Sequence, residues 1–210
     1  MAVFAVLVLM TACVTPPPAF DYFAFNAARP RSILVLPPRN QSPEISAAYG
    51  VLSQVTLPLA ESGYYVLPVA LVDETFRQNG MTVADDIRDV PVAKLYEIFG
   101  ADAALYIDII EYGAKYLLFD SAAVVTLSAT LVDLRSGQTL WTGRTSATNA
   151  QNNNNGGGGI GALLVAAMVK QILNSVSDAS YTVAGMASTQ LLAAGQPRGL
   201  LYGPRHPPLP

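Results

Sequence analysis

The tightest constraint on the fold is a strand, helix, strand succession within residues 31–80. Arg31-Ser32 leads into ILVLPP, residues 33–38, a run of mostly branched residues closed by two prolines. With no polar alternation, it reads as a buried, central strand covered on both faces. Ser42 before Pro43 and Glu44 has the chemistry of a helix start, and Ala48, Val51, Leu52, Val55 and Leu59 then recur at helical spacing. Pro58 should kink the last turn and Gly63 should end it. YYVLPV, residues 64–69, is a second strand. Two such strands joined by a helix pair in parallel through a right-handed crossover, which commits the chain to an α/β sheet.

The later segments extend that sheet. Residues 73–78 form a short helix stopped at Gly80, and Pro91 opens another in which Val92, Leu95 and Phe99 share a face and Gly100 gives the stop. AALYIDIIEY, residues 103–112, is a third strand, with Leu105, Ile107 and Ile109 facing one way and Tyr106, Asp108 and Ile110 the other. From Val124 the alternation is cleaner: Val125, Leu127, Ala129 and Leu131 oppose Thr126, Ser128 and Thr130, as in an antiparallel strand with one wet face. DLRSGQ, residues 133–138, turns into TLWTGRT, residues 139–145, to complete a hairpin. QNNNNGGGG, residues 151–159, has nothing to bury and is expected to be mobile. Residues 160–194 read as two helices meeting near Ser177 to Ser180. The fold class is therefore α/β (α+β), a single three-layer domain with a mixed sheet: a β-α-β unit, an antiparallel hairpin and C-terminal helices.

Composition narrows the partners. Twelve basic against fifteen acidic side chains cannot present the dense cationic surface that nucleic acid or an anionic leaflet requires, so neither is expected as a primary partner. The single cysteine forms no intramolecular disulfide and no cysteine-rich metal cage. It has a context of its own. MAVFAVLVLMTA, residues 1–12, carries no charge and is too short to span a bilayer, as in a signal-peptide core, and Cys13 follows directly after Thr11 and Ala12. A cysteine after small residues at such a point matches the bacterial lipobox, in which the thiol is acylated and the peptide is cut ahead of it. Met10 replaces the usual leucine, and no Lys or Arg precedes the run. Three acyl chains would exceed the two signals that lasting attachment needs. Val14, rather than aspartate, favours the outer membrane with the domain facing the periplasm. Pro16, Pro17 and Pro18 start a stiff tether whose reach from Cys13 to Ile33 is at most about 65 Å, with Phe20, Tyr22, Phe23 and Phe25 expected to fold part of it back.

With the elements placed, three segments resemble one family. ILVLPPRNQSPE (residues 33–44), GYYVLPVALVDETFRQNG (63–80) and LYEIFGADAALYIDIIEYG (95–113) are similar to a family of Gram-negative outer-membrane lipoproteins of unknown function, over roughly Phe20 to Arg205. The resemblance implies a fold similar to the amino-terminal domain of TolB and to the curli-secretion lipoprotein CsgG, carried here by Gly100-Ala101-Asp102 before a strand and by LVDLRSGQTLW, residues 131–141. It implies accessory work in envelope assembly, secretion or transport and no catalytic residues. The expected organisation is a signal peptide at 1–12, a lipidated tether at 13–30, a TolB-like domain at 31–195 with the flexible loop at 151–159, and a loose tail at 196–210.

No reaction is legible. The lone His206 sits in GPRHPPLP, a poor support for a catalytic base, and thiols and histidines are too few for zinc. Asp85, Asp86 and Asp89 read as a solvated loop before the Pro91 helix, with Asp89 favouring that helix's amino terminus. Their spacing lacks the glycine and the closing glutamate of a calcium loop. Asp108 and Glu111, three apart on a strand, should face opposite ways; Asp108 should meet solvent, a partner or an arginine such as Arg144. Gly156 to Gly159 lack the Lys-Ser or Lys-Thr of a phosphate loop. No catalytic residue, metal site or cofactor is expected.

Residues 136–197 hold only Arg144, Lys170 and Asp178 as charges. Within them Leu163, Leu164, Val165, Met168, Val169 and Ile172 lie on a helix that is apolar nearly all round. Such a helix is either buried under its own sheet or shared with another chain, so these six form a candidate interface. The expected function is a non-catalytic accessory or assembly subunit of an envelope transport or secretion complex. It would be held to the outer membrane by acyl chains on Cys13, with protein partners in the envelope and a possible homo-oligomer. Two alternatives stay open. One is a periplasmic module binding a small molecule or glycan in the crevice near Pro37 to Gln41 and Val69. The other is a carboxylate-dependent hydrolase, which needs two acids about 5 to 10 Å apart across a cleft.

Overall fold

A computed structural model describes residues 20–117, 120–149 and 176–207. Cys13, residues 151–159 and the six-residue candidate interface from Leu163 to Ile172 lie outside them. The elements run α1 (Phe23–Ala28), β1 (Ser32–Val35), β2 (Arg39–Asn40), α2 (Ala47–Gln54), α3 (Thr56–Glu61), β3 (Tyr65–Val66), α4 (Val69–Gln78), α5 (Ala84–Arg88), α6 (Val92–Phe99), β4 (Ala103–Leu117), β5 (Asp120–Asp133), β6 (Thr139–Thr148) and α7 (Val176–Leu192).

They build one mixed sheet in the order β3-β1-β4-β5-β6, with β2 continuing alongside β4. β1 pairs in parallel with β3 and β4, whereas β4, β5 and β6 are antiparallel. The β-α-β unit and the hairpin thus stand as read. Covering both faces of β1 explains its unbroken apolar run. Ile33 and Val35 join one core with α2, α3, α7, Leu105, Leu127 and Trp141, while Leu34 and Leu36 join a second with Val72, Phe76, Ile87 and Leu95 of α4, α5 and α6. The result is three layers.

Several boundaries differ from expectation, each for a local reason. The helix α2 starts at Ala47 because the Asn40 side-chain oxygen Oδ1 accepts hydrogen bonds from the Ser42 amide (2.9 Å) and hydroxyl (2.7 Å), holding the preceding residues in a turn. It breaks after Gln54, one turn before Pro58, because proline has no N–H for the Gln54 carbonyl and its ring crowds that carbonyl. The second strand is only Tyr65–Val66, since Pro68 opens α4 at Val69. Among the described residues α7 starts at Val176, so the junction expected near Ser177 to Ser180 adjoins residues that lie outside them. Asp85 and Asp86 lie in the first turn of a short helix, α5, and Asp89 is its C-cap rather than a partner of α6.

Neither end of the domain is a free segment. Ahead of residue 31, Phe25 is buried and α1 packs on the first core. The segment expected to be a loose tail is fastened at least to residue 206: the Trp141 indole donates to the Arg198 carbonyl (3.0 Å), the Tyr64 hydroxyl to Leu201, the Gly203 amide to Ser62 (2.8 Å) and the Arg205 amide to Gly63 (3.1 Å). Gly63, at φ +93°, has no alternative, because a Cβ there would lie 2.3 Å from the His206 nitrogen. Burial pushes the Tyr64 phenol far above its usual pKa.

Candidate functional site

Three groups of charged side chains lie on or beside the sheet. The first is Asp102, placed by the left-handed Gly100 (φ +63°) that ends α6 just before β4. One carboxylate oxygen accepts the Arg31 amide (2.9 Å), the Ser32 amide (3.2 Å) and the Ser32 hydroxyl (3.1 Å); the other accepts Arg135 (3.0 Å). Desolvation alone would raise the carboxyl's pKa. The hydrogen bonds from Arg31 and Ser32, together with the charge of Arg135, outweigh it and hold the group below its usual range. An ionised acceptor with four donors can bind the start of β1 to the start of β4. It is not arranged to move a proton.

The second group lies on the sheet face away from α7. The β2–β4 register sets Arg39 beside Asp108, and the Arg39 Nε–Asp108 distance is 2.6 Å. Arg88 approaches the same oxygen at 3.3 Å, donates to the Ile107 carbonyl at 2.7 Å and lies over the Tyr106 ring at 5.5 Å. Arg39 also reaches Asp85 at 3.5 Å. The arginines that meet Asp108 are therefore Arg39 and Arg88; Arg144 is registered opposite Ser128, one strand further on.

Glu111 corrects another expectation. The β4–β5 register shifts between Ile109 and Glu111, so Asp108 opposes Ser128 while Glu111 opposes Thr126, two residues along. Side chains two apart on β5 share a face, hence the bulge brings the two acids onto the same side of the sheet. The Thr126 hydroxyl donates to Glu111 (2.9 Å) and lies 3.0 Å from that of Ser146. This is the arrangement a carboxylate-dependent hydrolase would start from, yet Asp108 is clasped by two guanidinium groups, and the three cavities described next do not open on either acid.

Two of these cavities, of about 390 Å³ and 210 Å³, are framed by the C-terminal segment: one along β6, the other between Phe25, Arg29 and Tyr202. A third, about 390 Å³, lies beside β3 between Leu67, Leu71 and Phe99. None is lined by residues 37–41 or by Val69. There Arg39 is committed to Asp108 and Asn40 to its own loop, so the polar groups expected in a ligand crevice turn inward. The β6 cavity is the third charged group. Trp141, Thr142, Arg144, Gln190 and Arg198 line it, and among the described residues no carboxylate pairs with either arginine.

His206 packs against Tyr202 with ring centroids 4.0 Å apart and the rings tilted by 42°, in a fixed segment. Among the described residues there is no group of three or more His, Cys, Asp or Glu suited to a metal, and no helix long and apolar enough to cross a membrane. The reading of the sequence missed the Arg39–Asp108–Arg88 cluster and the role of Arg198. The only sequence signal for the first was an arginine directly after the strand-ending Pro37-Pro38; nothing marked the second.

A mixed sheet between two helical layers is the class of domain this chain shares with a lipoprotein family. The chain belongs to the family described as "Putative lipoprotein GNA1162-like", which it matches over residues 20–205. It is 47% identical over 201 residues to "Putative lipoprotein NMB1124/NMB1162" of Neisseria meningitidis serogroup B, covering 96% of this chain and 93% of that protein. The crystal structure of lipoprotein GNA1162 from Neisseria meningitidis aligns with a TM-score of 0.54 at 49% identity, over 70% of this chain and all of that one.

Proposed function

We propose that the chain is an outer-membrane lipoprotein, anchored by acyl groups on Cys13 and facing the periplasm, that acts as a non-catalytic accessory or assembly subunit of an envelope transport or secretion complex. Membership of a lipoprotein family supports the anchor. The observation that carries the binding reading is the state of the acids: Asp102 and Asp108 are saturated by donors that hold strands together, which leaves surfaces rather than a reacting group as the working part. Exposed Ile45, Tyr49 and Leu57 on one side and Leu71 on the other offer apolar contact area for envelope proteins or further copies of the chain. Leu163, Leu164, Val165, Met168, Val169 and Ile172, outside the described residues, are proposed as the further candidate interface.

Two experiments test this. Inhibition of signal peptidase II should shift the chain to a larger, unprocessed form and change its membrane fractionation; unchanged processing at Cys13 would overturn the anchor. Cross-linking in intact cells from cysteines placed at Ile45 and Leu71 should capture discrete envelope proteins, and a uniformly monomeric product would overturn the assembly role.

A further inference from the structure

The segment that leads from the proposed anchor to the sheet is seated far more weakly than the residues it runs into. Of its aromatics only Phe25 is buried. Phe23 is 79% exposed, and Phe20 and Tyr22 are half-buried, with the Tyr22 ring 4.7 Å from that of Phe20 and edge-on to Phe25 at 6.3 Å. Among the described residues one hydrogen bond, from the Tyr22 hydroxyl to the Gly199 carbonyl, ties residues 20–30 to the rest of the domain; the other bonds that begin in the segment end in it. Its seat is the C-terminal segment, and the fit is open. Phe20 borders the cavity framed by Pro197 to Gly199, while Phe25, Asn26, Arg29 and Pro30 border the one framed by Leu201, Tyr202 and Pro204. Atoms that face such gaps forfeit dispersion contacts.

The next two residues are held quite differently. Arg29 ends α1 at φ +44° and Pro30 has no N–H, so no helix or sheet bond carries across them into β1. Beyond that break the Arg31 and Ser32 amides donate to one oxygen of the Asp102 carboxylate, at 2.9 and 3.2 Å, and the Tyr65 amide donates to the Arg31 carbonyl at 3.0 Å. A load applied from the amino-terminal side therefore meets a segment with one bond, then a hinge, then a charged clamp. Resting on the anchor proposed above, we infer that residues 20–30 are a releasable clip that stores tether length. Seated, the clip leaves seven steps of chain from Cys13 to the domain at Phe20, a reach of at most about 25 Å. Peeled away, it leaves eighteen steps, to Arg31, and a reach of about 60 Å. A partner that pulls the domain away from the membrane draws out the clip and spares the sheet, and Asp102 is where the peeling stops.

Cys13 is the single cysteine, so in the full, unacylated chain its thiol takes one handle for an optical trap, and Ser136→Cys in the exposed β5–β6 turn takes the other. Raising the load should give a reversible lengthening of up to about 35 Å at a force below that of the unfolding step. Tyr22→Phe should raise the ratio of open to seated chain at a given load about fivefold, and Phe25→Ala more than about a hundredfold, with the later unfolding force unchanged in both. A single step in which clip and domain yield together, or a first step much longer than about 35 Å, would overturn the assignment. So would an unfolding force that falls in Phe25→Ala, because Phe25 would then belong to the core. The measurement needs neither membrane nor acyl chain: a clip that never opens, in a chain processed at Cys13, sinks only this inference, and an opening clip in an unprocessed chain sinks only the anchor.

Discussion

Charge is treated in opposite ways at the β1–β4 side of the sheet and along its β6 edge. Asp102 and Asp108 are each surrounded by donors from segments distant in the chain, and each fixes where one strand lies against another. Along the β6 groove Arg198 is held through its carbonyl and Arg144 stands on the sheet face opposite Trp141, and neither guanidinium group meets an acid among the described residues. Both regions are rigid; one uses its charges for its own assembly, whereas the other holds its charges out. Removing charge from the first should therefore destabilise the protein, and removing it from the second should leave stability alone.

The largest effect expected is on the frame the two regions share. Trp141→Ala empties the floor of the groove and frees residues 196–199, and it should cost about 3–5 kcal/mol in chemical denaturation. A loss under about 1 kcal/mol would show that the indole does not fix the groove wall. Asp102→Ala strands the donors of Arg31, Ser32 and Arg135 and should cost about 2–3 kcal/mol. The same group gives a pH signature. Its pKa is depressed on folding, so its contribution is complete above the usual carboxylate range and is lost as pH falls through the lower folded value. The acid limb of stability should flatten in Asp102→Ala; an identical limb in both proteins would remove Asp102 from the account. Gly143→Ala forces a methyl against the Trp141 ring and should cost about 1–2 kcal/mol. Arg144→Gln should stay within about 0.5 kcal/mol of the parent, and a larger loss would erase the contrast between the regions.

What was legible in the sequence followed from patterns that local chemistry enforces. The unbroken apolar run at Ile33 marked the doubly covered strand. The Leu105, Ile107, Ile109 alternation marked the core face of β4, and Gly100 marked the end of α6. What stayed hidden depends on register. One residue inserted near Ile110 carries Glu111 to the face of Asp108, and nothing local distinguishes that strand from a regular one. Arg39 meets Asp108 only because β2 continues the sheet two residues past Pro37-Pro38. The proline-rich composition of residues 196–207 suggested a loose tail because proline lacks a donor. The segment is held instead through the amides of Gly203 and Arg205 and the carbonyls of Arg198 and Leu201.

That closing segment also sets the order in which the protein can be finished. Tyr64 and Leu201 meet across 137 residues of chain, and Tyr22 and Gly199 across 177. Contacts of such separation form late and slowly. A nascent chain emerging from its start can assemble β1, α2 and β3 early, but Ser62, Gly63 and Tyr64 keep unmet backbone and side-chain partners until residues 201–205 arrive. Arrival of the far end is then the closing step, because a chain interrupted before residue 201 lacks the groups that Ser62, Gly63 and Tyr64 bond.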